Sequence, residues 1–295
     1  MKLFKKSILA ILTLALSLTV FASCAKKEDK ETSAKPETTQ KSYIETIKQN
    51  GKIKIGIFTD KPPFGFTDEK GNPKGFEIDL AKRFAKDLLG DESKVELVPV
   101  EPANRIPYLQ SNKVDLILAN MTVTDERKEV VDFTNPYLKV AIQIVANKNT
   151  TLKSIDDLKG KKLVLTKGTT ADIFFTKKIS EGLNVETLKF DNVTESFQAL
   201  KDGRGDAYVN DNLLLFGWAA KNPTFKVLNT KLEEPSPIAP AVKKGNKELL
   251  DWVNKELESL SKEKYLEKLY DLHLKDAFKG NVENPNDVIV QNNKL

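Results

Sequence analysis

Residues 114–127 read Val-Asp-Leu-Ile-Leu-Ala-Asn-Met-Thr-Val-Thr-Asp-Glu-Arg, an apolar run followed by a polar turn and the start of a helix. The apolar run predicts a short buried strand. Thr124 is a good N-cap, and the two acidic residues after it suit the positive end of a helix. The stretch therefore predicts a strand that ends at polar residues and leads directly into a helix.

The same alternation of strand and helix occurs upstream of this stretch. Residues 52–57 alternate polar and apolar side chains, as a half-buried strand does. Apolar residues then recur every four positions along a predicted helix at about 78–88, and residues 95–98 form the next predicted strand. Strand–helix–strand units of this length predict an α/β fold with a mostly parallel sheet covered on both faces.

Downstream, the pattern restarts. After one long extended segment at 137–146, strands and helices alternate again. Residues 236–242 are predicted to be extended, and leucines at helical spacing predict an amphipathic helix at 246–270. About 250 residues lie outside the N-terminal segment, which is comfortable for two lobes. We therefore predict lobe 1 at 43–138 and 236–295, lobe 2 inserted at 139–235, and two hinge strands between them.

The N-terminal segment has the features of an export signal. Three lysines among the first six residues precede an apolar run at 8–22, which is shorter than the roughly 20 residues of a membrane span. The run ends beside Cys24, the only cysteine, and the segment resembles a bacterial lipoprotein signal. The resemblance implies a signal peptide at 1–23 and a lipid on Cys24, with an ordinary cleaved signal and an incidental cysteine as the alternative. Residues 24–42 are poor in apolar side chains and predict a disordered tether.

The composition argues against several classes of function. The net charge is +5, but three positive charges lie in the signal, and lysines are scattered among acids elsewhere, so no basic stripe indicates nucleic acid. His273 is the only histidine, and no thiol follows Cys24. These counts predict no metal site, no cofactor and no histidine- or thiol-based catalysis. Chemistry by carboxylates alone stays open, but we expect a binding protein and not an enzyme.

Arg127 is an unusual residue for the start of a helix. A cation there opposes the helix dipole, so its position suggests an anionic partner. The planar guanidinium can bind a carboxylate through two hydrogen bonds. The alternative is a solvated surface arginine like its neighbour Lys128.

Other predicted strand ends carry further candidates. Residues 167–171, Lys-Gly-Thr-Thr-Ala, place free amides and threonine hydroxyls where they can bind an anion or simply cap a helix. Asp211 lies between a predicted strand and a predicted helix, where local sequence favours capping over binding an ammonium group. Phe64 and Phe66 follow another strand and either wall the site or pack in the core. Ligands of open α/β sheets bind at strand ends, so we expect these residues near one site.

A set of short motifs recurs in order along nearly the whole body. The motifs are Lys-Pro-Pro-Phe at 61–64, Gly-Phe-Glu-Ile-Asp-Leu-Ala at 75–81, Asn-Arg-Ile-Pro at 104–107, Lys-Val-Asp at 113–115, residues 122–127 with Val-Asp-Phe at 131–133, and Lys-Gly-Thr-Thr at 167–170. Through them the chain from about residue 47 to 272 resembles the extracytoplasmic polar amino-acid-binding proteins of ABC importers, solute-binding protein family 3. Asn-Asp-Asn at 210–212 and residues 238–245 are most similar to the cysteine-binding branch.

The resemblance implies a periplasmic-binding-protein-like fold of type II, with the ligand held between two lobes. Arg127 would hold the α-carboxylate of the ligand with help from two threonines, and Asp211 would hold its α-ammonium group. Lys61 stands where several relatives place an aromatic ring, and Arg105 could read a side-chain carboxylate. The full set of expected ligand-binding residues is Lys61, Phe64, Arg105, Asn120, Met121, Thr122, Arg127, Thr169, Thr170 and Asp211.

The function implied is the capture of a small polar amino acid, with cysteine favoured, and its delivery to an ABC permease and its ATPase. Glutamate, aspartate or glutamine is the alternative ligand on the same fold. A periplasmic dehydratase-like enzyme and a surface adhesin are the alternatives from other classes. We further expect an extracytoplasmic monomer that is anchored to the membrane through Cys24 and has no nucleic-acid partner.

Overall fold

The computed structural model describes residues 42–230 and 232–290. The predicted signal peptide, Cys24 and the tether up to residue 41 lie outside the described residues, as do Lys231 and residues 291–295. Ser42, which the sequence assigned to the tether, is the N-cap of the first helix and accepts a hydrogen bond from the backbone of Glu45 at 3.1 Å. No helix in this part of the chain combines the length and apolar character of a membrane span.

Helices and strands alternate along the described residues. The helices are α1 (Tyr43–Asn50), α2 (Phe76–Leu89), α3 (Arg105–Gln110), α4 (Asp125–Val130), α5 (Thr170–Ser180), α6 (Val193–Lys201), α7 (Asn212–Lys221), α8 (Lys247–Lys262) and α9 (Tyr265–Leu269). The strands are β1 (Ile53–Ile57), β2 (Asp60–Lys61), β3 (Gly65–Thr67), β4 (Pro73–Lys74), β5 (Val95–Pro99), β6 (Leu116–Ile117), β7 (Val131–Phe133), β8 (Leu138–Val140), β9 (Ile142–Asn147), β10 (Lys162–Thr166), β11 (Glu186–Phe190), β12 (Ala207–Asp211), β13 (Phe225–Val227), β14 (Ser236–Ile238) and β15 (Ala241–Lys243).

Two five-stranded sheets organise the fold. The first has the order β5-β1-β6-β15-β7, in which β15 runs antiparallel to both of its neighbours. The second has the order β11-β10-β12-β9-β13, in which β9 runs antiparallel to both of its neighbours. We call the units built on these sheets lobe 1 and lobe 2. The predicted two-lobe α/β fold with mostly parallel sheets is confirmed.

A short antiparallel pair, β8 and β14, connects the two lobes. Its register places Leu138 opposite Ile238. The segment near the C-terminus lies beside this pair, where the backbone N–H of Val290 donates to the carbonyl of Tyr137 at 3.1 Å. The two strands match the predicted hinge, and the lobe limits at 138/139 and 235/236 stay a prediction.

Helix α2 shows how sequence spacing builds the core of lobe 1. The apolar residues on its inner face are buried, namely Phe76, Leu80, Phe84 and Leu88. The helix begins at residue 76, two residues earlier than predicted, after Gly75 with φ +124°. A Cβ at Gly75 would lie 2.2 Å from the carbonyl oxygen of Phe64, so this close turn requires glycine. The early start places Glu77 in the first turn, fully buried.

Three segments that the sequence predicted as continuous are interrupted. The extended segment at 137–146 breaks between β8 and β9 at Ala141, whose N–H donates to Asn212 Oδ1 at 3.0 Å. The segment at 236–242 breaks near Pro240, which has no N–H to donate to a sheet. The last helical stretch breaks at Lys264, with φ +55°, between α8 and α9. The two breaks at the hinge let the chain leave one sheet and enter the other.

Candidate functional site

A turn of lobe 2 is held against lobe 1 by two buried arginines. The carbonyl oxygen of Gly168, between β10 and α5, accepts hydrogen bonds from Nη2 of Arg105 at 3.2 Å and from Nη2 of Arg127 at 3.0 Å. The backbones are also close, because a Cβ at Gly168 would lie 2.6 Å from the Cα of Ala103. The two lobes are therefore in direct contact beside the strand ends.

Arg127 lies in α4 and is only 6% exposed, so it is not the solvated surface side chain of the alternative interpretation. Thr124 caps the helix as predicted, accepting from the Arg127 N–H at 3.3 Å. Nη1 donates to the carbonyl of Thr122 at 2.7 Å and Nη2 to that of Gly168. Three of the five guanidinium N–H groups have no partner among the described residues. Burial lowers the pKa of Arg127, and the negative charge of Asp211 opposes that shift.

Asp211 ends β12 of lobe 2 and is 7% exposed. Its side chain makes no capping hydrogen bond to α7, so the capping role that local sequence favoured is wrong. Instead, Oδ2 lies 3.3 Å from Nζ of Lys61, which comes from β2 of lobe 1 and is 3% exposed. A buried carboxylate thus faces a buried ammonium group across the boundary between the lobes.

Phe58 is an aromatic neighbour of this pair that the sequence analysis missed. Its ring centroid lies 5.1 Å from Nζ of Lys61 and 5.6 Å from Cζ of Arg105, within the range of cation–π attraction. Phe64, which was expected to wall the site, is buried in the lobe 1 core and packs on Phe278 with ring centroids 6.2 Å apart. Phe58 directly follows β1, and this position at a strand end was the signal that could have found it.

Arg105 is buried, and four of its five N–H donors bond to backbone carbonyls. The acceptors, at 3.0–3.2 Å, are the carbonyl oxygens of Pro102, Ala119, Asn120 and Gly168. Burial and the charge of Arg127 lower the pKa of Arg105 to about 9. With these donors engaged, Arg105 fixes the segment that follows β6 and the lobe 2 turn, and the geometry does not support its expected role of reading a side-chain carboxylate.

Glu77 is a second residue that the sequence analysis did not single out. Its Oε1 accepts hydrogen bonds from the backbone N–H of Asn120 at 2.7 Å and from the hydroxyl of Tyr137. Burial raises the pKa of Glu77 to about 7, although its hydrogen bonds and the charges of Lys61 and Arg105 act to lower it. Glu77 Oε2 and Asn120 Oδ1 are buried without a hydrogen-bond partner among the described residues. Two acceptors are therefore open near the two cations.

The remaining predicted residues use their polar atoms differently. Thr169 caps α5: its hydroxyl accepts from the backbone of Asp172 at 3.2 Å, so capping, one of the two alternatives for residues 167–171, is confirmed for this residue. Thr170 is half-buried at the first position of α5. Met121 is 1% exposed and packs in the core of lobe 1. In the described part of the chain, His, Cys, Asp and Glu side chains do not group in a way that could hold a metal ion.

Residues 53–276 match the family described as bacterial extracellular solute-binding proteins, family 3. The chain belongs to this family. The match covers both lobes and the hinge strands, so the resemblance to family 3 drawn from the sequence motifs is confirmed.

Alignments with similar proteins cover most of this solute-binding protein. The ABC transporter glutamine-binding protein GlnH of Bacillus subtilis is 34% identical over 277 residues, which cover 93% of this chain and 98% of GlnH. The structure of the cysteine-binding protein from Campylobacter jejuni is 50% identical with a TM-score of 0.81, covering 84% of this chain and 99% of that one. The solute receptor for L-cysteine of Neisseria gonorrhoeae is 48% identical with a TM-score of 0.80, covering 84% and 99%.

A further contact joins the lobes of this solute-binding protein away from the arginines. Oδ2 of Asp60, in lobe 1, accepts hydrogen bonds from the backbone N–H groups of Val193 at 2.9 Å and Thr194 at 3.1 Å, at the start of α6 in lobe 2. Free amides and the helix dipole favour a carboxylate at this end of a helix. Together with the Gly168 carbonyl and the Lys61–Asp211 pair, this contact defines a closed arrangement of the two lobes.

Proposed function

We propose that this protein binds a polar α-amino acid between its lobes and delivers it to the permease of an ABC transporter. The observation that carries the proposal is a buried cation and a buried anion on opposite lobes, Arg127 and Asp211. They are close enough for the charge of Asp211 to favour the ionised guanidinium. A free amino acid carries the two complementary charges on groups attached to one carbon atom.

In this proposal Arg127 binds the α-carboxylate. Its three N–H groups without a partner among the described residues can form the forked pair of hydrogen bonds that guanidinium makes with a carboxylate. The hydroxyl of Thr170 and the amides at the start of α5 belong to the same turn that Arg127 contacts through Gly168. In this proposal these groups donate to the same carboxylate.

Asp211 binds the α-ammonium group through Oδ1, while Oδ2 stays paired with Lys61. Since Arg127 and Asp211 come from different lobes, one zwitterion satisfies both charges only when the lobes are closed. The ligand therefore binds the closed form more tightly than the open form and shifts the population towards it. The closed form is then the species that presents the ligand to the permease.

Cysteine is the favoured ligand, and glutamine is the alternative. Two similar solved structures are described as a cysteine-binding protein and an L-cysteine receptor, at 50% and 48% identity, whereas two glutamine-binding relatives are 34% and 38% identical. An acidic ligand is less favoured, because four of the five donors of Arg105 are already bound to backbone carbonyls.

We further propose that the protein is an exported monomer held at the membrane by a lipid on Cys24, where it works with the permease and its ATPase. The basic start, the apolar run at 8–22 and the single cysteine support this anchor. Metabolic labelling with a tagged fatty acid tests it. The parent should incorporate the label and Cys24→Ser should not, whereas equal labelling of both would overturn the anchor.

Ligand binding is tested on the protein released from its signal and lipid, residues 25–295. A thermal-shift screen against the protein amino acids, with cysteine kept reduced and cystine included, identifies the ligand through the rise in melting temperature. Calorimetry then compares Arg127→Ala with Lys128→Ala, an exposed neighbour on the same helix. We expect Arg127→Ala to lose about 100-fold or more in affinity, because removing one partner of a buried charge pair costs roughly 3–5 kcal/mol.

Lys128→Ala should bind like the parent. If Arg127→Ala binds the same amino acid as tightly as the parent does, the carboxylate role is wrong. Mass spectrometry of the ligand after long incubation separates binding from the dehydratase alternative: a binding protein returns the ligand unchanged, and an enzyme does not.

A further inference from the structure

We propose that Glu77 and Asn120 form the subsite for the side chain of the ligand, and that this subsite selects a neutral side chain ending in a hydrogen-bond donor. Thiols, hydroxyls and carboxamides belong to this class, whereas carboxylates and plain hydrocarbons do not. This assignment rests on the proposed function, since it takes the backbone of the amino acid to be held by Arg127 and Asp211.

Two open acceptors define the subsite. Glu77 Oε2 and Asn120 Oδ1 are buried and have no hydrogen-bond partner among the described residues. The two residues are bonded to each other, because Glu77 Oε1 accepts from the Asn120 N–H at 2.7 Å. Proteins rarely leave a buried acceptor unpaired, and two such atoms on bonded neighbours indicate that a donor arrives from outside the chain.

Glu77 Oε2 has a fixed direction, and the backbone that carries the Asn120 side chain is anchored. The hydroxyl of Tyr137 and the Asn120 N–H fix one oxygen of the Glu77 carboxylate, which sets the direction of the other. Asn120 lies three residues after β6 with φ +40°, and its carbonyl accepts from Arg105 at 3.0 Å. An acceptor with a fixed direction, such as Glu77 Oε2, can discriminate between ligands, because it does not turn away to suit a ligand without a donor.

The charges around Glu77 set the class of side chain. Lys61 and Arg105 are close enough to act on the ionisation of Glu77, and they disfavour a cationic side chain such as that of arginine or lysine. Tyr137 points its hydroxyl at the other oxygen of Glu77, so it does not supply a donor to the subsite. While Glu77 is ionised, a ligand carboxylate would meet two acceptors, whereas a thiol, hydroxyl or amide N–H supplies the missing proton.

The test uses isosteric pairs that differ in the donor, measured by calorimetry on the released protein at about pH 8, where Glu77 with its pKa of about 7 is ionised and most of the cysteine thiol is still protonated. The pairs are reduced L-cysteine with L-2-aminobutyrate, L-glutamine with L-glutamate, and L-asparagine with L-aspartate. In the pair that contains the best ligand, the donor-bearing member should bind at least about tenfold more tightly, since a site built to bind a donor rejects the analogue without it.

Glu77→Gln is the decisive variant. Its amide oxygen can still accept from Asn120 and Tyr137, while its amide nitrogen replaces the open acceptor Oε2 with a donor. We expect the preference for the donor-bearing ligand to fall by about tenfold or more. In the glutamine and asparagine pairs, the carboxylate member should also gain affinity. Glu69→Gln, at an exposed position of lobe 1, is the matched control. It should show the same affinity ratio between the two ligands of a pair as the parent does.

Asn120→Gly is the second variant, because glycine suits the positive φ and removes the open Oδ1. Asn120→Gly should lower the affinity ratio of the donor-bearing ligand to its analogue without reversing it. If Glu77→Gln does not fold, this variant tests the subsite alone. If the variants that fold bind amino acids with the ratio of the parent, the subsite is wrong. If Arg127→Ala alone loses binding, the proposed function stands without the subsite; if no amino acid binds the parent, both proposals fall.

Discussion

Nζ of Lys61 lies 3.3 Å from Oδ2 of Asp211, and this ion pair joins the two lobes with both side chains buried. Either residue alone would be an uncompensated buried charge, which is strongly unfavourable. In the closed arrangement, the ammonium group of Lys61 therefore compensates the buried charge of the Asp211 carboxylate.

Lys61→Met should open the protein in the absence of ligand. Asp211 would lose its buried cation, and opening the cleft would return its carboxylate to water. Small-angle X-ray scattering should show a larger radius of gyration for unliganded Lys61→Met than for the unliganded parent. Adding the amino acid should close the variant again. Lys70→Met, on an exposed turn of lobe 1, is the control and should scatter like the parent. If unliganded Lys61→Met gives the same scattering curve as the unliganded parent, the role of Lys61 is wrong.

Asp60→Asn should weaken ligand binding without touching the ligand. The carboxylate of Asp60 caps α6 across the lobes through Val193 and Thr194, and its charge suits the helix dipole. Losing a cap of this kind costs about 0.5–2 kcal/mol, so the affinity should fall by roughly 2- to 30-fold. Stopped-flow measurement should assign the loss mainly to faster dissociation.

The control for Asp60→Asn is Asp68→Asn, because Asp68 bonds within its own turn to the backbone of Lys70 and Asn72. Asp68→Asn should leave the rate of ligand dissociation unchanged. Equal dissociation rates for Asp60→Asn and the parent would show that this contact does not stabilise the closed form.

Gly168→Ala should block closure. Gly168 has φ +74°, and its Cβ would lie 2.6 Å from the Cα of Ala103 on the opposite lobe. Gly182→Ala is a matched control, because Gly182 also has positive φ, +104°, but its Cβ would meet nothing within 4 Å. Both variants share the cost of a strained backbone, roughly 1–3 kcal/mol. Calorimetry should show an affinity loss of about tenfold or more for Gly168→Ala and little loss for Gly182→Ala, and equal losses would contradict the prediction.

The pH dependence of stability should change in Glu77→Gln. The pKa of Glu77 is raised from 4.5 to about 7 in the fold, so its contribution is fully present below pH 4.5 and is lost as the pH rises through 7. Tyr137, Asn120, Lys61 and Arg105 act on this carboxyl group. Relative to Glu77→Gln, the parent should lose on the order of 3 kcal/mol of unfolding free energy over this range.

Urea denaturation of both proteins at several pH values measures that difference. The unfolding free energy of the parent minus that of Glu77→Gln should fall as the pH rises from below 4.5 to above 7. A difference that stays constant would show that Glu77 does not carry a raised pKa in the unliganded protein.

Much of the fold could be predicted from local patterns. The four-residue spacing at 76–88 identified α2, and the polar residues after the apolar run at 114–119 marked the start of α4, with Thr124 as its cap. Breaks such as that at Ala141 could not be predicted, because they depend on a hydrogen bond to Asn212 from a distant helix. Hydrophobic periodicity reports which face of an element is buried, and not where distant groups terminate it.

The candidate site was predicted only in part. Arg127 was identified because a cation at a helix start is locally unfavourable, and the structure buries it. Asp211 was misjudged on local grounds as a cap, because its partner Lys61 lies 150 positions away in the chain. Phe58 and Glu77 were missed for a related reason: an aromatic residue after a strand and an acid in a first helical turn are ordinary in sequence.

The sequence by itself determined the two-lobe α/β fold, the family and the arginine of the cleft, since these depend on short-range spacing and on motifs in a fixed order. The tertiary structure decided which charges face each other, which acceptors are left open and which aromatic ring adjoins the cations. Those properties arise from burial and from contacts between distant segments. Burial makes an unpaired charge or acceptor costly, and only the assembled lobes determine which groups find a partner.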